Sequence, residues 1–165
     1  MKRQLVLIRH TKSSWIDLDL SDFERPLKQD RTGDAEKMAK VLRDLGLKPD
    51  HIICSAALRT RQTGEYFYAK LNFDASKVQF DKRIYECAPE DLYEVIHETE
   101  PDVQSLIIIG HNPSLTYFVN YYSGKNIIEM PTTGVAWLEF DTDDWNIDRY
   151  TPATLRYFLK PKELK

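Results

Sequence analysis

Two histidines and two arginines stand at matching places in this sequence, each shortly after an apolar run. Arg9 and His10 follow the first run, Arg59 lies a few residues past the second, and His111 follows the third together with Asn112. Such a group of donors in one pocket is costly without an anion. Phosphate suits it, because the planar fork of an arginine matches phosphate oxygens. These residue types therefore predict a phosphate-binding site.

Histidine is the nucleophile that remains once other phosphate chemistries are excluded. Too few residues separate Cys54 from Arg59 for the loop of a cysteine-based phosphatase, and the glycines of that loop are missing. The sequence has no P-loop and no Gly-x-Gly-x-x-Gly. No group of His, Asp and Glu has metal-ligand spacing. A neutral imidazole can attack phosphorus when an acceptor holds its other nitrogen.

A hydroxyl-rich turn with one cation follows His10 directly, formed by Thr11, Lys12 and Ser13. Such a turn is suited to holding an anion beside the imidazole. Taken alone, these residues are equally typical of a buried strand that simply ends in polar residues. Because Arg9 and His10 are expected to converge with Arg59 and His111, we favour a functional site over a strand that merely ends in polar residues.

Three short apolar runs are predicted to bring these residues to one edge of a sheet. Residues 5–8, 52–54 and 105–110 read as buried strands. Parallel strands end on the same edge, and ligands bind there in open α/β sheets. The donors therefore converge although they lie far apart in sequence.

The elements between these strands predict the fold class. Helical spacing recurs over residues 30–45 and 89–98, and a further helix is expected to continue from residues 55–63 through Leu71. Another helix follows Asn112, which we expect to cap it with Pro113 in its first turn. Residues 15–29 are expected to form a long loop over the sheet edge. Further strands are expected at 78–80, 135–140 and 155–159, the last an edge strand. The prediction is an α/β fold: a three-layer α/β/α sandwich with a mostly parallel central sheet and helices on both faces.

Composition limits the partners and the location. The 165 residues predict a single domain spanning 1–165. A net charge of -3 argues against nucleic-acid binding. No apolar run approaches a membrane span, so no membrane partner is expected. The N-terminus has no signal-peptide pattern, and the two cysteines fit a reduced compartment, so the expected location is cytoplasmic.

Four segments resemble, in the right order, the motifs of the histidine phosphatase (phosphoglycerate mutase-like) superfamily. Residues 7–15 resemble its Arg-His motif, residues 55–63 its second arginine motif, and residues 109–113 its late histidine motif. The Lys-Ser-Ser-Trp form of the first motif, followed by residues 23–27, is similar to the SixA-like phosphohistidine phosphatase branch. Thr11 replaces the glycine that usually follows Arg-His, which fits this small branch.

This resemblance implies a phosphoglycerate mutase-like fold and a metal-independent phosphatase without a cofactor. His10 would be the nucleophile that becomes phosphorylated. The phosphoryl oxygens would be held by Arg9, Arg59 and His111, with Arg25 as a further contact from the long loop. Glu86 stands where mutase and phosphomonoesterase relatives carry a proton donor, and a surface glutamate fits that position equally well.

Three functions stay open at the level of sequence. The leading one is a phosphatase that hydrolyses phosphomonoesters or protein phosphohistidine through phospho-His10, so its partner is a phosphoprotein or a small phosphoester. The second is a phosphoglycerate mutase-type phosphotransferase, for which so short a chain leaves little room for extra loops. The third is a phosphate- or phosphoprotein-binding module without turnover.

Overall fold

A six-stranded sheet forms the centre of the computed structural model, which describes residues 1–164. In chain order its strands are β1 (Lys2–Arg9), β2 (His51–Ser55), β3 (Gln79–Asp81), β4 (Ser105–Gly110), β5 (Val135–Asp141) and β6 (Ala153–Leu159). The helices are α1 (Thr32–Asp44), α2 (Leu58–Lys70), α3 (Pro89–His97) and α4 (Ser114–Ser123). Short 3-10 turns include Asp22–Glu24 in the loop after β1.

The strand order is β3-β2-β4-β1-β5-β6, so β4 and β1 are the two central strands. The strands β3, β2, β4 and β1 run parallel, while β5 is antiparallel to both β1 and β6. The predicted mostly parallel sheet is therefore confirmed, and so is the edge position of β6. In the described residues β3 forms the opposite edge and begins one residue after Val78.

Helices cover both faces of the sheet. Side chains of β1 alternate between two apolar clusters, with Leu5 and Leu7 in one and Val6 and Ile8 in the other. The first cluster includes side chains of α3 and α4, and the second includes side chains of α1 and α2. A strand covered on both faces is apolar at every position, which is why residues 5–8 form a continuous run. The predicted α/β/α sandwich is confirmed.

Sequence signals also explain where individual helices end. Residues Ala35, Met38, Ala39 and Leu42 are the buried face of α1. Gly46 follows the helix with a φ of 88°, a left-handed conformation that glycine adopts without strain. The predicted stop at this glycine is confirmed.

The start of α4 differs from the prediction. Asn112 does not cap this helix: Pro113 is the N-cap residue and the helix begins at Ser114. The Asn112 side chain is engaged elsewhere, because it donates to the Met130 carbonyl at 2.9 Å and accepts from the Thr116 hydroxyl at 2.8 Å. Asn112 thereby fixes the segment around Met130 beside the strand ends.

Within residues 1–164, every helix is too short or too polar to span a lipid bilayer.

Candidate active site

A cavity of about 350 Å³ at the carboxyl edge of the parallel strands brings most of the predicted site residues together. Eight of the ten predicted residues line it: Arg9, His10, Lys12, Ser13, Arg25, Arg59, His111 and Asn112. Trp15 and Thr132 complete the lining. An adjoining cavity of about 580 Å³ shares Arg9 and Asn112 with it.

Strand register explains why the two histidines meet. Arg9 pairs with Gly110 across β1 and β4, and the His10 amide continues the pairing by donating to the Gly110 carbonyl at 3.2 Å. His10 and His111 therefore leave neighbouring strands at the same level. Their ring centroids are 5.2 Å apart. Arg59 reaches them from the first turn of α2, directly after β2.

One ring nitrogen of His10 is held by the backbone. Its Nδ1 lies 2.7 Å from the Thr11 carbonyl, which can only accept, so Nδ1 carries the proton and Nε2 keeps its lone pair. Burial, together with the nearby charges of Arg59, Arg9 and Arg25, lowers the pKa of His10 to about 4, although the bond to Thr11 opposes this shift. At neutral pH the imidazole is uncharged and able to act as a nucleophile.

His111 is held through its other nitrogen. Its Nε2 lies 2.7 Å from the Ser55 hydroxyl oxygen, which also accepts from the Ala57 amide at 3.4 Å. Donation of the Ser55 hydrogen to Nε2 corresponds to the tautomer that carries its proton on Nδ1. In residues 1–164 the buried Nδ1 has no hydrogen-bond partner. Burial and then the neighbouring His10 and Arg59 lower the pKa of His111 to about 3, so its ring is uncharged at neutral pH.

Arg9 lies between the two cavities and is tied to the segment beyond α4. Its Nη1 donates to Glu129 at 3.0 Å and to the Met130 carbonyl at 2.8 Å. Its buried Nε has no partner among the described residues. Burial lowers the pKa of Arg9, and the Glu129 carboxylate partly offsets this.

Arg25 is anchored mainly by the loop that carries it. Its Nε donates to the Ser14 carbonyl at 3.1 Å and its Nη2 to the Ser13 hydroxyl at 2.5 Å. Its guanidinium carbon lies 3.1 Å from the centre of the Trp15 ring. These contacts order the loop after β1 and bring the arginine to the cavity wall.

Asp22 is a site residue that the sequence interpretation missed. It contacts two cavity arginines, accepting from Arg25 Nη1 at 2.9 Å and from Arg59 Nη2 at 3.1 Å. A signal was present, since Asp22 stands three residues before Arg25 in a segment that mixes charges with large apolar side chains. Its contact with Arg59, however, joins residues far apart in the chain.

The structure does not bring the other two predicted site residues into the cavity. Thr11 is fully buried behind it, where its amide donates to the Thr63 hydroxyl and its hydroxyl accepts from Thr133, both at 2.9 Å. Glu86 is exposed, has a φ of 51° and is not among the lining residues. Its role as proton donor stays a prediction.

Among residues 1–164 no three His, Cys, Asp or Glu side chains are grouped in a way that could hold a metal ion. Metal independence stays a prediction.

Comparison with known proteins defines the class. Residues 5–102 match the histidine phosphatase superfamily (branch 1), and the chain belongs to this superfamily. An uncharacterized chloroplastic protein of Arabidopsis thaliana is 33% identical over 153 residues, which cover 88% of this chain and 70% of that protein. Because this relative is chloroplastic, the cytoplasmic location stays a prediction.

Solved structures place the chain in the SixA-like branch of the superfamily. A structure from Agrobacterium tumefaciens, provisionally identified as the phosphohistidine phosphatase SixA, is 28% identical with a TM-score of 0.80 and covers 96% of this chain and 98% of that one. The protein histidine phosphatase SixA in complex with tungstate shares the fold at 23% identity, with a TM-score of 0.80 and coverage of 98% and 99%. The chain is a SixA-like member of the superfamily, which supports phosphatase activity on a phosphorylated substrate.

Proposed function

We propose that this protein is a phosphatase that transfers the phosphoryl group of its substrate to His10 and then to water. One observation carries this proposal: His10, with Nδ1 held by Thr11, shares a cavity with Arg9, Arg59 and His111. A neutral nucleophile surrounded by donors is what phosphoryl transfer requires.

The reaction has two steps on these residues. The lone pair of His10 Nε2 attacks phosphorus, the bond from phosphorus to the leaving atom breaks, and its electron pair stays with that atom. Water then attacks phospho-His10, the electron pair of the N–P bond returns to Nε2, and the proton of water passes to solvent. In both steps Arg9, Arg59 and His111 Nδ1–H would stabilise the phosphoryl oxygens. The proposal requires no metal or organic cofactor.

The acidic groups around the cavity favour a substrate with a good leaving group. Glu86 is exposed and outside the lining, and Asp22 is ion-paired with Arg25 and Arg59. An ionised carboxylate cannot protonate an alkoxide as it leaves. A phosphohistidine protonated on its other ring nitrogen leaves as a neutral imidazole and needs no such donor. We therefore propose protein phosphohistidine, rather than alkyl phosphates, as the preferred substrate.

Exposed apolar side chains on the loop that carries Trp15 support a protein substrate. Trp15, Ile16 and Leu18 are 67%, 92% and 84% exposed, and Trp15 lines the cavity. Apolar groups grouped on a surface are typical of protein contacts. The name of the Agrobacterium relative agrees with this substrate. We further propose that residues 1–165 act as one histidine phosphatase domain with no nucleic-acid or membrane partner.

Trapping of the intermediate tests the proposal. A histidine-phosphorylated protein carrying radioactive phosphate should label His10 transiently and release inorganic phosphate. The variant His10→Asn should not be labelled, whereas His51→Asn, at the far end of β2, should behave like the wild type. Equal hydrolysis by wild type and His10→Asn would refute the mechanism.

The same experiment separates the two alternatives. A mutase would pass the label to a hydroxyl group of an acceptor rather than to water. A binding module would bind tungstate but remain unlabelled. Faster turnover of glycerol phosphate than of the phosphohistidine protein would refute the proposed substrate class.

A further inference from the structure

The Asp22 carboxylate joins three side chains that come from three different segments. Its Oδ1 accepts from Arg25, while Oδ2 accepts from both Arg59 and the Tyr85 hydroxyl, the last at 2.5 Å. Asp22 lies in the 3-10 turn of the long loop, and its side chain is 40% exposed. A residue in a loop thus connects the start of α2 with the segment before α3.

Arg59 is held by Asp22 at two points. Its Nη1 donates to the Asp22 backbone carbonyl at 2.8 Å, in addition to the bond from Nη2 to the carboxylate. The guanidinium plane of this buried arginine is thereby fixed. A guanidinium has five N–H groups, so three can still donate to a phosphoryl oxygen.

Tyr85 extends the connection to the histidines. Its ring meets His111 edge-on with centroids 5.5 Å apart, and it packs edge-on against Phe23 at 5.0 Å. The bond from the Tyr85 hydroxyl to Asp22 sets the position of this ring. Asp22 therefore contacts Arg59 directly and reaches His111 through the ring of Tyr85.

The charge state of Asp22 suits this role. Burial opposes its ionisation, but hydrogen bonds from Tyr85, Arg25 and Arg59 outweigh burial and lower the pKa of Asp22 to about 2. At neutral pH it is a carboxylate that accepts all three bonds and has no proton to give.

We propose that Asp22 is a positioning residue of the phosphatase reaction, which orients Arg59 and Tyr85 around the phosphoryl group that His10 accepts. This inference rests on the proposed function of His10. Orientation of charged donors before the reaction is a large part of the stabilisation that phosphoryl-transfer sites provide. Asp22 would contribute to this without contacting the substrate.

The variant Asp22→Asn tests the proposal. An amide has one oxygen and one NH₂ group, so the NH₂ group would face Arg25 or the pair formed by Arg59 and Tyr85, and part of the network would be lost. The matched control is Asp19→Asn, which removes the same charge from an exposed position of the same loop. The readouts are kcat and KM with an aryl and an alkyl phosphate, and the Kd for tungstate.

A positioning role predicts a kcat about tenfold lower in Asp22→Asn, equivalent to about 1.4 kcal/mol. The loss should be the same for both substrates, and tungstate should bind no more weakly than in the wild type. Asp19→Asn should keep the wild-type kcat. If thermal unfolding shows Asp22→Asn to be destabilised, Tyr85→Phe replaces it, with a smaller loss of kcat expected.

Three results would overturn the proposal. A kcat in Asp22→Asn equal to that of Asp19→Asn would show that orientation by Asp22 is unimportant. A loss that grows with the pKa of the leaving group would make Asp22 a proton donor. A higher kcat in Asp22→Asn would show that the Asp22 carboxylate only competes with the phosphoryl group for Arg25 and Arg59. Each result is read in protein whose wild type labels His10, since absence of that label refutes the proposed function instead.

Discussion

The protonation of His10 and His111 offers a sharp test of the site. Burial and neighbouring arginines lower the pKa of these residues from an ordinary 6.5 to about 4 and about 3. At pH 5 an ordinary imidazole is only about 3% neutral, whereas one with a pKa of 4 is about 90% neutral. We therefore expect about thirtyfold more neutral His10 at pH 5 than in an unfolded chain.

NMR of the imidazole rings measures this difference directly. From pH 7.5 to pH 5 the ring nitrogen shifts of His10 and His111 in the folded protein should move by no more than about a tenth of the full titration change. The same histidines in the urea-unfolded protein are the control and should titrate near pH 6.5. Midpoints near 6.5 in the folded protein would refute the conclusion that the cavity keeps both histidines neutral.

The free energy of unfolding must depend on pH because the pKa values of these histidines are lower in the folded protein than in the unfolded chain. Between pH 7 and pH 5 the unfolded chain takes up about three quarters of a proton at each of these histidines, and the folded chain takes up about a tenth or less. Because the unfolded state binds more protons, the free energy of unfolding decreases as the pH is lowered from 7 to 5, by about 2 kcal/mol for each histidine. The stability is present above pH 6.5 and is lost as the pH falls towards the lowered pKa values.

Denaturant unfolding of matched proteins isolates this contribution. From pH 7 to pH 5 the wild type should lose about 4 kcal/mol more than the double variant His10→Gln/His111→Gln, in which neither group titrates. Other titrating residues are common to both proteins and cancel in the comparison. Equal losses would show that the two histidines are not kept neutral by the fold.

Two further variants probe the partners of the catalytic cluster. Ser55→Ala removes the hydrogen-bond partner of His111 Nε2; because Nδ1–H is then no longer enforced, kcat should fall about tenfold with little change in tungstate affinity. A wild-type kcat would show that Ser55 does not orient His111. Glu129→Gln removes the ion pair on Arg9; since Glu129 is largely exposed, the inhibition constant for phosphate should fall only about twofold to fivefold. This gain should vanish at high salt, and a gain unaffected by salt would contradict the electrostatic explanation.

The fold was predictable where packing leaves a regular pattern. Residues 5–8 and 105–110 are continuous apolar runs because helices cover the sheet on both faces, and such runs identify central strands. The pairing of β1 with an antiparallel β5 has no comparable signal, since it joins residues that lie far apart in the chain. Asn112 was mistaken for a helix cap because its bonds to Met130 and Thr116 depend on a segment that folds back from beyond α4.

The positions of the main cavity residues were predictable for a topological reason. Arg9, His10 and His111 directly follow strands, and parallel strands end on one edge whatever their loops do. Ser55 closes β2 within a recognised motif, yet its contact with His111 needs the distance between two strand ends. Topology thus predicts which residues meet, and geometry decides which atom of each histidine faces the cavity.

The carboxylates near the site, Glu86 and Asp22, show why residues in loops are hard to place from sequence. Glu86, after the second helix, is the sequence's candidate proton donor, and that role stays a prediction. The carboxylate that contacts the cavity arginines in the structure is Asp22, from the loop after β1. The two candidates differ in consequence, because a carboxylate bonded to Arg25 and Arg59 is ionised and cannot serve as an acid at neutral pH. In the proposed function the strand ends provide phosphoryl transfer to His10, and an ionised Asp22 in this loop favours leaving groups that depart without protonation. On this proposal, the choice of substrate depends on the conformation of residues 13–25 more than on the motifs that define the family.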